Sequence, residues 1–353
     1  MTESVAGRVS VIIPARNEEA NIERVLRSVV QQSRVLEILA VDDQSEDRTP
    51  QILARLQAEI PLLRVLRTGA LPDGWTGKSH AVARAAREAR GEWLLLTDAD
   101  TEHLPGSLEV LLGRAEDQGA ALLSISPGQE TPTAWEKAVI PLVYVRLSRL
   151  FRFADVSDPV SSAAAANGQY ILIRRRVYEE AGGHTAVRGE ILEDVALARR
   201  VKAAGGKLVF LPGAAWVRTR MYRTFSEMWR GWTKNLFLLY ERSLARALRT
   251  VAELWLLDVA PVVAFIALCA ILVLGRGGAT AALAALGCFV VALLRQWGYA
   301  RALRRIGFDP GLGNYLVPGA ALLGLLMLNS ARAHRLGGRV AWKGRNYSTR
   351  GNG

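Results

Sequence analysis

Two aspartates separated by one small residue end an apolar run in L-L-L-T-D-A-D-T, residues 94–101. An apolar run stopped by a polar turn predicts a buried strand. Side chains two apart on a strand project to the same side, so Asp98 and Asp100 are expected to converge. Two carboxylates at a rigid strand end hold a hard divalent cation incompletely, which leaves coordination positions for water and for substrate phosphates. That chemistry suits Mg2+ or Mn2+ and a nucleotide diphosphate. Alone, such a pair serves equally well as a solvated loop or a helix start. Its meaning rests on what else reaches the same place.

The neighbouring elements answer that. Residues 9–13 (V-S-V-I-I) predict a strand stopped by Pro14, Ala15, Arg16, Asn17, Glu18 and Glu19, followed by a helix over about 20–32. Residues 36–41 predict a second strand ending in Asp42 and Asp43, and Thr49-Pro50 opens a helix, since proline is tolerated in a first turn. A third strand covers 62–66, a helix about 79–89, and a fourth strand 93–97. Strands alternating with helices predict an α/β fold with a mostly parallel sheet covered on both faces. Ligands of such sheets sit at the carboxyl ends of the strands. Topology alone therefore brings residues 14–18, Asp42 with Asp43, and Asp98 with Asp100 to one edge.

Taken in order, V-S-V-I-I-P-A-R-N-E-E, A-V-D-D-Q-S-E-D-R-T and L-T-D-A-D-T resemble a family 2 glycosyltransferase of the GT-A fold, a Rossmann-like nucleotide-diphospho-sugar transferase domain. The resemblance covers about residues 8–235. It implies that Pro14, Ala15, Asn17 and Glu18 flank the nucleoside and that Asp43, with Asp42, binds the base or ribose. It also implies Asp100 as metal ligand, with Asp98 nearby at the diphosphate, sugar or ribose. The chemistry agrees, because a carboxylate accepts a hydrogen bond from a uracil N–H or a ribose hydroxyl and a lysine cannot. Turn formation and helix capping are the plain alternative for Asp42 and Asp43.

Further along, G-W-T-G-K-S-H-A (residues 74–81) suggests a phosphate-binding loop, but that pattern needs a glycine where Pro72 stands. Lys78 at a helix N-terminus can still approach a phosphate. Within the resemblance, this segment is similar to bacterial lipid-directed members, including hopanoid-associated and carotenoid (diaponeurosporenoate-type) glycosyltransferases. E-I-L-E-D-V-A-L, residues 190–197, lies on a predicted helix running to about 203. Adjacent helical residues diverge by about 100°, so one of Glu193 and Asp194 is expected to face a site and the other to face away. The resemblance maps an E-D motif onto this pair and implies Asp194 as the base that takes the acceptor hydroxyl proton as it attacks. In E-M-W-R-G-W, residues 227–232, the family's Q-x-x-R-W is imperfect, since Gln is replaced and a glycine intervenes. Arg230 at the diphosphate and Trp232 as an apolar or sugar-stacking wall follow from the resemblance, with a membrane interface as the alternative.

The chain of 353 residues carries a net charge of +12 and turns markedly apolar beyond Arg249. Basic charge beside apolar stretches points to an anionic membrane surface. No aromatic-plus-basic RNA module and no zinc-finger spacing is present, which argues against nucleic acid. Cys269 and Cys288 lie inside apolar stretches and imply no disulfide framework. Met1-Thr2-Glu3-Ser4 leads into the first strand without an apolar signal-peptide core, so the first domain is expected in the cytoplasm.

Three apolar stretches follow, about 259–274, 279–294 and 316–328. About sixteen residues cover only ~24 Å of a ~30 Å hydrocarbon core, so Trp255, Trp297 and Tyr315 must help complete the crossings. Arginines 242, 246 and 249 before the first stretch, and 295, 301, 304 and 305 after the second, put both flanks of this hairpin in the cytoplasm. A third crossing would carry the basic tail outside, against the same rule, so the third stretch is either re-entrant or interfacial or an exception to the rule; the glycine-rich residues 312–324 with Pro318 favour re-entrant. Residues 133–153, with Lys137, Arg146, Arg149 and Arg152 among apolar side chains, suit a helix lying at the membrane surface, a core helix being the alternative. W-K-G-R-N-Y, residues 342–347, also resembles the ending of lipid-directed members.

The sequence is thus expected to hold a cytoplasmic GT-A domain over 1–235, a membrane domain over 236–335 (apolar spans about 255–275, 279–298 and 312–330), and a basic tail over 336–353. The expected function is a multi-pass, metal-dependent, inverting transfer of a sugar from a UDP-sugar to a lipid hydroxyl at the cell membrane. The alternatives are a polyprenyl-phosphate sugar synthase and a non-catalytic membrane module that senses nucleotide-sugars.

Overall fold

A computed structural model of the chain describes residues 7–337 and 339–348. The N-terminal run from Met1 and the end of the basic tail, 349–353, lie outside the described residues. The chain divides into two compact units, Met1–Glu130 with Phe151–Met221, and Thr131–Leu150 with Tyr222–Gly353.

The first unit runs β1 (Val9–Ala15), α1 (Ile22–Val30), β2 (Val35–Asp42), α2 (Thr49–Glu59), β3 (Leu63–Arg67), α3 (Gly77–Glu88), β4 (Trp93–Leu96), β5 (Thr101–His103), α4 (Ser107–Asp117), β6 (Leu122–Ser126) and β7 (Gly128–Gln129). After α5 (Ala134–Leu150), which belongs to the second unit, come α6 (Phe153–Ser157), β8 (Ile171–Arg174), α7 (Arg175–Glu180), α8 (Gly183–Ala186), α9 (Glu193–Ala203), β9 (Leu208–Pro212) and β10 (Val217–Thr219). Seven strands form one sheet in the order β3-β2-β1-β4-β8-β6-β9, parallel except for β8, which runs antiparallel to β4 and β6. A small second sheet, β5-β10-β7, was not expected from the sequence. Its strands are two or three residues long, too short to show a period.

Period two explains how the large sheet is covered. Val9, Val11, Ile13 and Ala15 of β1 join a core with Leu26, Leu53 and Leu111 from α1, α2 and α4, while Ile12 joins the opposite core with Val82 of α3 and Leu197 of α9. Each such fully buried aliphatic side chain contributes about 1.5–3 kcal/mol relative to exposure.

In the second unit, α10 (Phe225–Leu239) is followed by α11 (Leu244–Glu253), which passes through a π-helical stretch, Leu254–Val259, into α12 (Ala260–Val273). A turn leads to α13 (Ala279–Arg305), and a 3-10 turn, Pro310–Tyr315, opens α14 (Leu316–Arg332). The chain then forms a hairpin of β11 (Arg339–Trp342) and β12 (Arg345–Ser348). Lys343 and Gly344 at its tip both have positive φ, 45° and 76°, as a two-residue turn of matching twist requires.

Among the described residues, three helical runs are long and apolar enough to cross a membrane: Leu244–Val273 (30 residues), Ala279–Arg305 (27) and Pro310–Leu336 (27). They exceed the short spans expected from hydropathy because their Ala-, Leu- and Arg-rich flanks are themselves strong helix formers. The expectation of a re-entrant third stretch is not met, since α14 does not reverse within its apolar run. Its glycines serve close packing instead. A Cβ on Gly319 would stand 2.2 Å from the Ala138 carbonyl oxygen, and one on Gly324 would stand 2.1 Å from Trp255 Nε1. The expected surface helix at 133–153 also differs: in α5 nearly every residue from Glu136 to Arg146 is buried, the pattern of a core helix.

Candidate active site

The loops leaving β1 and β2 are stitched together by polar contacts. Arg16 donates to the carbonyls of Asp43 (2.7 Å) and Gln44 (2.8 Å), the Asn17 N–H donates to Ser45 Oγ (3.0 Å), and the Glu46 N–H donates to Asn17 Oδ1 (2.8 Å). Asn17 sits at φ 53°, a left-handed conformation that asparagine tolerates better than most residues. The Glu18 N–H donates to Thr49 Oγ1 (2.8 Å), and Glu18 Oε2 accepts from Asn21 Nδ2 (2.7 Å). Residues 14–18 and 42–47 therefore form one braced rim at the carboxyl end of the sheet. Asp43 is buried, with Oδ1 accepting from Thr68 Oγ1 at 2.8 Å. Asp42 is buried as well, and its Oδ1 accepts from the Ser45 N–H at 3.0 Å, a turn-forming contact.

Asp98 and Asp100 lie beyond β4 rather than on it, in the turn that joins β4 to β5. The expected convergence by strand alternation does not apply there. Instead the turn is held by Thr101, whose Oγ1 donates to the Asp98 carbonyl (2.8 Å), and by Arg24, which donates to the Asp100 carbonyl (3.1 Å). Beneath it, Thr97 Oγ1 donates to the Gln169 carbonyl (2.8 Å) and lies 3.1 Å from His103 Nε2.

Asp98 opens onto a small cavity lined also by Pro14, Lys78, Gly168, His184, Glu193 and Asp194. Lys78 Nζ bridges Asp98 Oδ1 (2.7 Å) and Glu193 Oε1 (2.8 Å). The lysine reaches them because α3 begins at Gly77, with the Thr76 side chain capping the Ser79 N–H. Asp194 accepts two backbone hydrogen bonds, from Gly168 N–H to Oδ2 and from Val195 N–H to Oδ1, each 2.8 Å. Glu193 and Asp194 thus face the same cavity, contrary to the expectation that one would turn away. They are the first two residues of α9, where the longer Glu193 side chain bends across the helix start to Lys78. Gly168 makes the approach possible, since a Cβ there would lie 2.6 Å from Lys78 Nζ and 3.4 Å from Asp194 Oδ2.

The electrostatics follow from this crowding. Burial raises Asp194 to about 6, the Glu193 charge adds to the rise, and Lys78 with the two N–H groups opposes it. Burial disfavours the Lys78 ammonium, but Asp98, Glu193 and Asp194 together hold its pKa well above the ordinary lysine value. Asp98 is raised by burial, partly offset by Lys78.

His184 was not singled out from the sequence as a site residue. Burial lowers it to about 4, so it stands neutral at pH 7, with Nδ1 3.1 Å from the Tyr178 hydroxyl. The available signal was the glycine before it: Gly183 has φ 49°, and a Cβ there would strike the Tyr178 ring at 2.5 Å. Arg230 and Trp232 both lie on α10 in the second unit. Arg230 is exposed and donates to the Ser226 carbonyl (3.3 Å), while Trp232 is buried with its ring 6.2 Å from that of Tyr222. The intervening Gly231 has a packing reason, because a Cβ would meet the Tyr222 hydroxyl at 2.4 Å.

Residues 10–182 match the model of glycosyl transferase family 2. That segment belongs to the family. Among curated relatives, the 4,4'-diaponeurosporenoate glycosyltransferase of Staphylococcus haemolyticus is 29% identical over 239 residues, 65% of this chain and 60% of the relative. The enzyme of the same name from Staphylococcus aureus is 30% identical over 234 residues, with the same coverages. The chain therefore spans about 60% of the length of these relatives. A mannosyltransferase from Pyrobaculum calidifontis, solved with GDP-Man and Mn2+, superposes with a TM-score of 0.54 at 22% identity, covering 90% of this chain and 87% of its own. That likeness establishes the α/β GT-A-like fold with a mixed sheet, followed here by three long apolar helices.

The Pyrobaculum mannosyltransferase was solved with Mn2+; what this chain offers such an ion is its own donor set. Asp98 and Asp100 offer hard oxygen ligands at the sheet edge. Among the described residues no group of three or more His, Cys, Asp or Glu side chains is arranged to hold a metal ion unaided.

Proposed function

We propose that this family 2 protein is a membrane-anchored glycosyltransferase that moves a sugar, with inversion, from a UDP-sugar to a hydroxyl of a lipid. Asp194 carries the proposal. A carboxylate buried enough to titrate near 6, yet fixed by two backbone N–H groups, is matched to taking a hydroxyl proton at neutral pH. The rim of Pro14, Ala15, Asn17 and Glu18 with Asp42 and Asp43 receives the nucleoside, Asp43 being the carboxylate offered to base or ribose. Lys78 is freed from Asp98 and Glu193 as the diphosphate arrives, and it neutralises the leaving group. Asp100 would hold Mg2+ or Mn2+ with Asp98 beside it, the ion supplying Lewis-acid stabilisation of the departing diphosphate. Before the donor binds, Glu193 holds Lys78 at the cavity, and its charge contributes to the raised Asp194 pKa.

The apolar helices supply the reason for a lipid acceptor, and the staphylococcal relatives are named for a carotenoid carboxylate, which supports an apolar carotenoid-like body but not the hydroxyl. The arginines flanking the hairpin support a catalytic unit on the cytoplasmic side. The third run has 44% of its apolar window buried in protein, against 6% for each of the others. This supports a chain that crosses twice and keeps its basic tail on the same side.

The test is transfer from UDP-glucose, UDP-galactose, UDP-GlcNAc and GDP-mannose to extracted lipids by the purified chain with Mn2+, with products identified by mass. Asp194→Asn is expected to lower turnover about 100-fold or more. Near-normal turnover in that variant would instead favour an acceptor already ionised, such as a polyprenyl phosphate or a carotenoid carboxylate. No product from any donor would sink the catalytic proposal in favour of a sensing module, and product unaffected by Asp100→Ala would remove Asp100 as the metal ligand.

A further inference from the structure

Five charged side chains gather where the apolar hairpin of the second unit ends. Asp258 immediately precedes the apolar run of the first helix, and Arg295 immediately follows that of the second. The two pair across the hairpin, Arg295 Nε to Asp258 Oδ1, at 2.7 Å. Glu253 adds an ion pair with Arg146 of α5 (2.7 Å) and longer contacts to Arg149 and Arg295 (3.8 Å each). Three guanidinium groups therefore share two carboxylates, which leaves one positive charge in excess.

The excess is unevenly exposed. The Asp258 and Arg146 side chains are 1% and 9% exposed, whereas Arg149 is 54% exposed. Burial and the neighbouring Arg146 both disfavour the Arg149 charge, and Glu253 only partly relieves it. A guanidinium crowded by another and open on one side is suited to bidentate contact with a phosphate. The surroundings identify the source of that phosphate. Leu256, Leu257, Leu294 and Trp297, neighbours of Asp258 and Arg295 in sequence, are exposed large apolar side chains. Tryptophan at the end of an apolar run marks headgroup depth. The break of α-helical pattern at Leu254–Val259 places Asp258 within a π-helical segment, a feature frequent at functional sites.

We propose that Arg149, backed by Arg146, Arg295, Glu253 and Asp258, binds the phosphate headgroup of an anionic membrane phospholipid. The proposal rests on the reading of α12 and α13 as a membrane-crossing hairpin. The probe is short-chain phosphatidylglycerol titrated into the purified full chain in neutral detergent. Phosphatidylcholine and soluble glycerophosphate serve as comparisons, and bound lipid is counted by native mass spectrometry alongside the unfolding temperature. Saturable binding of phosphatidylglycerol at least tenfold tighter than of phosphatidylcholine is expected, with little effect of glycerophosphate. Arg149→Gln should abolish the preference, while Arg276→Gln, removing the same charge at the far turn of the hairpin, should retain it. Equal binding of the two lipids by the unaltered chain would overturn the site even if Arg149→Gln failed to fold. So would equal loss in both variants, which reports general attraction to a basic protein. Saturation by glycerophosphate alone would also overturn it, by making the ligand a soluble phosphate. A chain that stays monodisperse and folded without detergent would instead overturn the membrane reading on which the proposal stands.

Discussion

At the scale of single residues, the cavity turns on how three carboxylates share one ammonium. Lys78 bridges Asp98 and Glu193, and its charge holds Asp194 below the value that burial alone would impose. Because the folded value of Asp194 lies above the ordinary carboxylate value, its stabilising contribution is present at low pH and lost as pH rises through about 6. Activity has the opposite sense. With Asp194 as the proposed base, which must be deprotonated to work, kcat/KM for transfer is expected to fall tenfold per unit below about pH 6, measured as an initial-rate pH profile. Gly168→Ala provides a sharper probe, since its Cβ meets the flexible tip of Lys78. Displacing that tip weakens the stabilisation of the Asp194 carboxylate and should move the acid limb of the profile upward. The cost in folding stability should stay near or below about 1 kcal/mol, because a mobile side-chain end can yield.

At the scale of elements, glycine placement shows which helices meet closely. Gly231 lies against the Tyr222 ring, Gly319 against the Ala138 carbonyl and Gly324 against the Trp255 indole. A carbonyl on a packed helix cannot retreat as a lysine tip can. Gly319→Ala is therefore expected to destabilise the second unit by about 1–3 kcal/mol, read as a lower unfolding temperature in detergent. Gly231→Ala should behave similarly through the ring of Tyr222, which lies edge-on to Trp232. An unchanged unfolding temperature in both would show that these helices have slack the structure does not contain. Polar ties join the same helices: Phe237 N–H donates to Ser330 Oγ (3.0 Å), Ser330 Oγ donates to the Thr233 carbonyl (2.6 Å), and Asn329 Nδ2 donates to Thr233 Oγ1 (2.8 Å). The serine thus satisfies two backbone groups at once, on α10.

At the scale of the whole molecule, two outward-facing helices carry most of the argument for the membrane. The windows of Leu244–Val273 and Ala279–Arg305 have mean hydropathy 2.7 and 1.7 and are each only 6% buried by protein. Leaving so much contiguous apolar surface to water is costly, and patches beyond a few hundred Å2 mark a membrane or partner surface. After cell lysis the chain should remain in the membrane pellet through a 1 M salt wash and an alkaline wash, and should appear in solution only with detergent. Release by salt alone would leave basic charge as the only attachment and remove the hairpin crossing.

By itself the sequence determined the elements and the edge where chemistry gathers. Strand–helix alternation is a local pattern, and in a parallel sheet it forces the residues after β1, β2 and β4 to one end. Other signals singled out the remaining candidates without showing what they touch: the family resemblance for Asp194, a helix N-terminal position for Lys78 and hydropathy for the apolar helices. Tertiary structure decided the rest. It placed Asp98 in a turn rather than on a strand, and it bent Glu193 back so that both acids of the pair serve one cavity. It gave Asp42 a turn-forming contact, brought His184 to the wall, and turned the glycines of α14 from a suspected bend into points of close approach. The physical reason is common to all of these. Contacts between residues dozens of positions apart depend on loop paths and on which backbone atoms can approach, and neither hydropathy nor period records them.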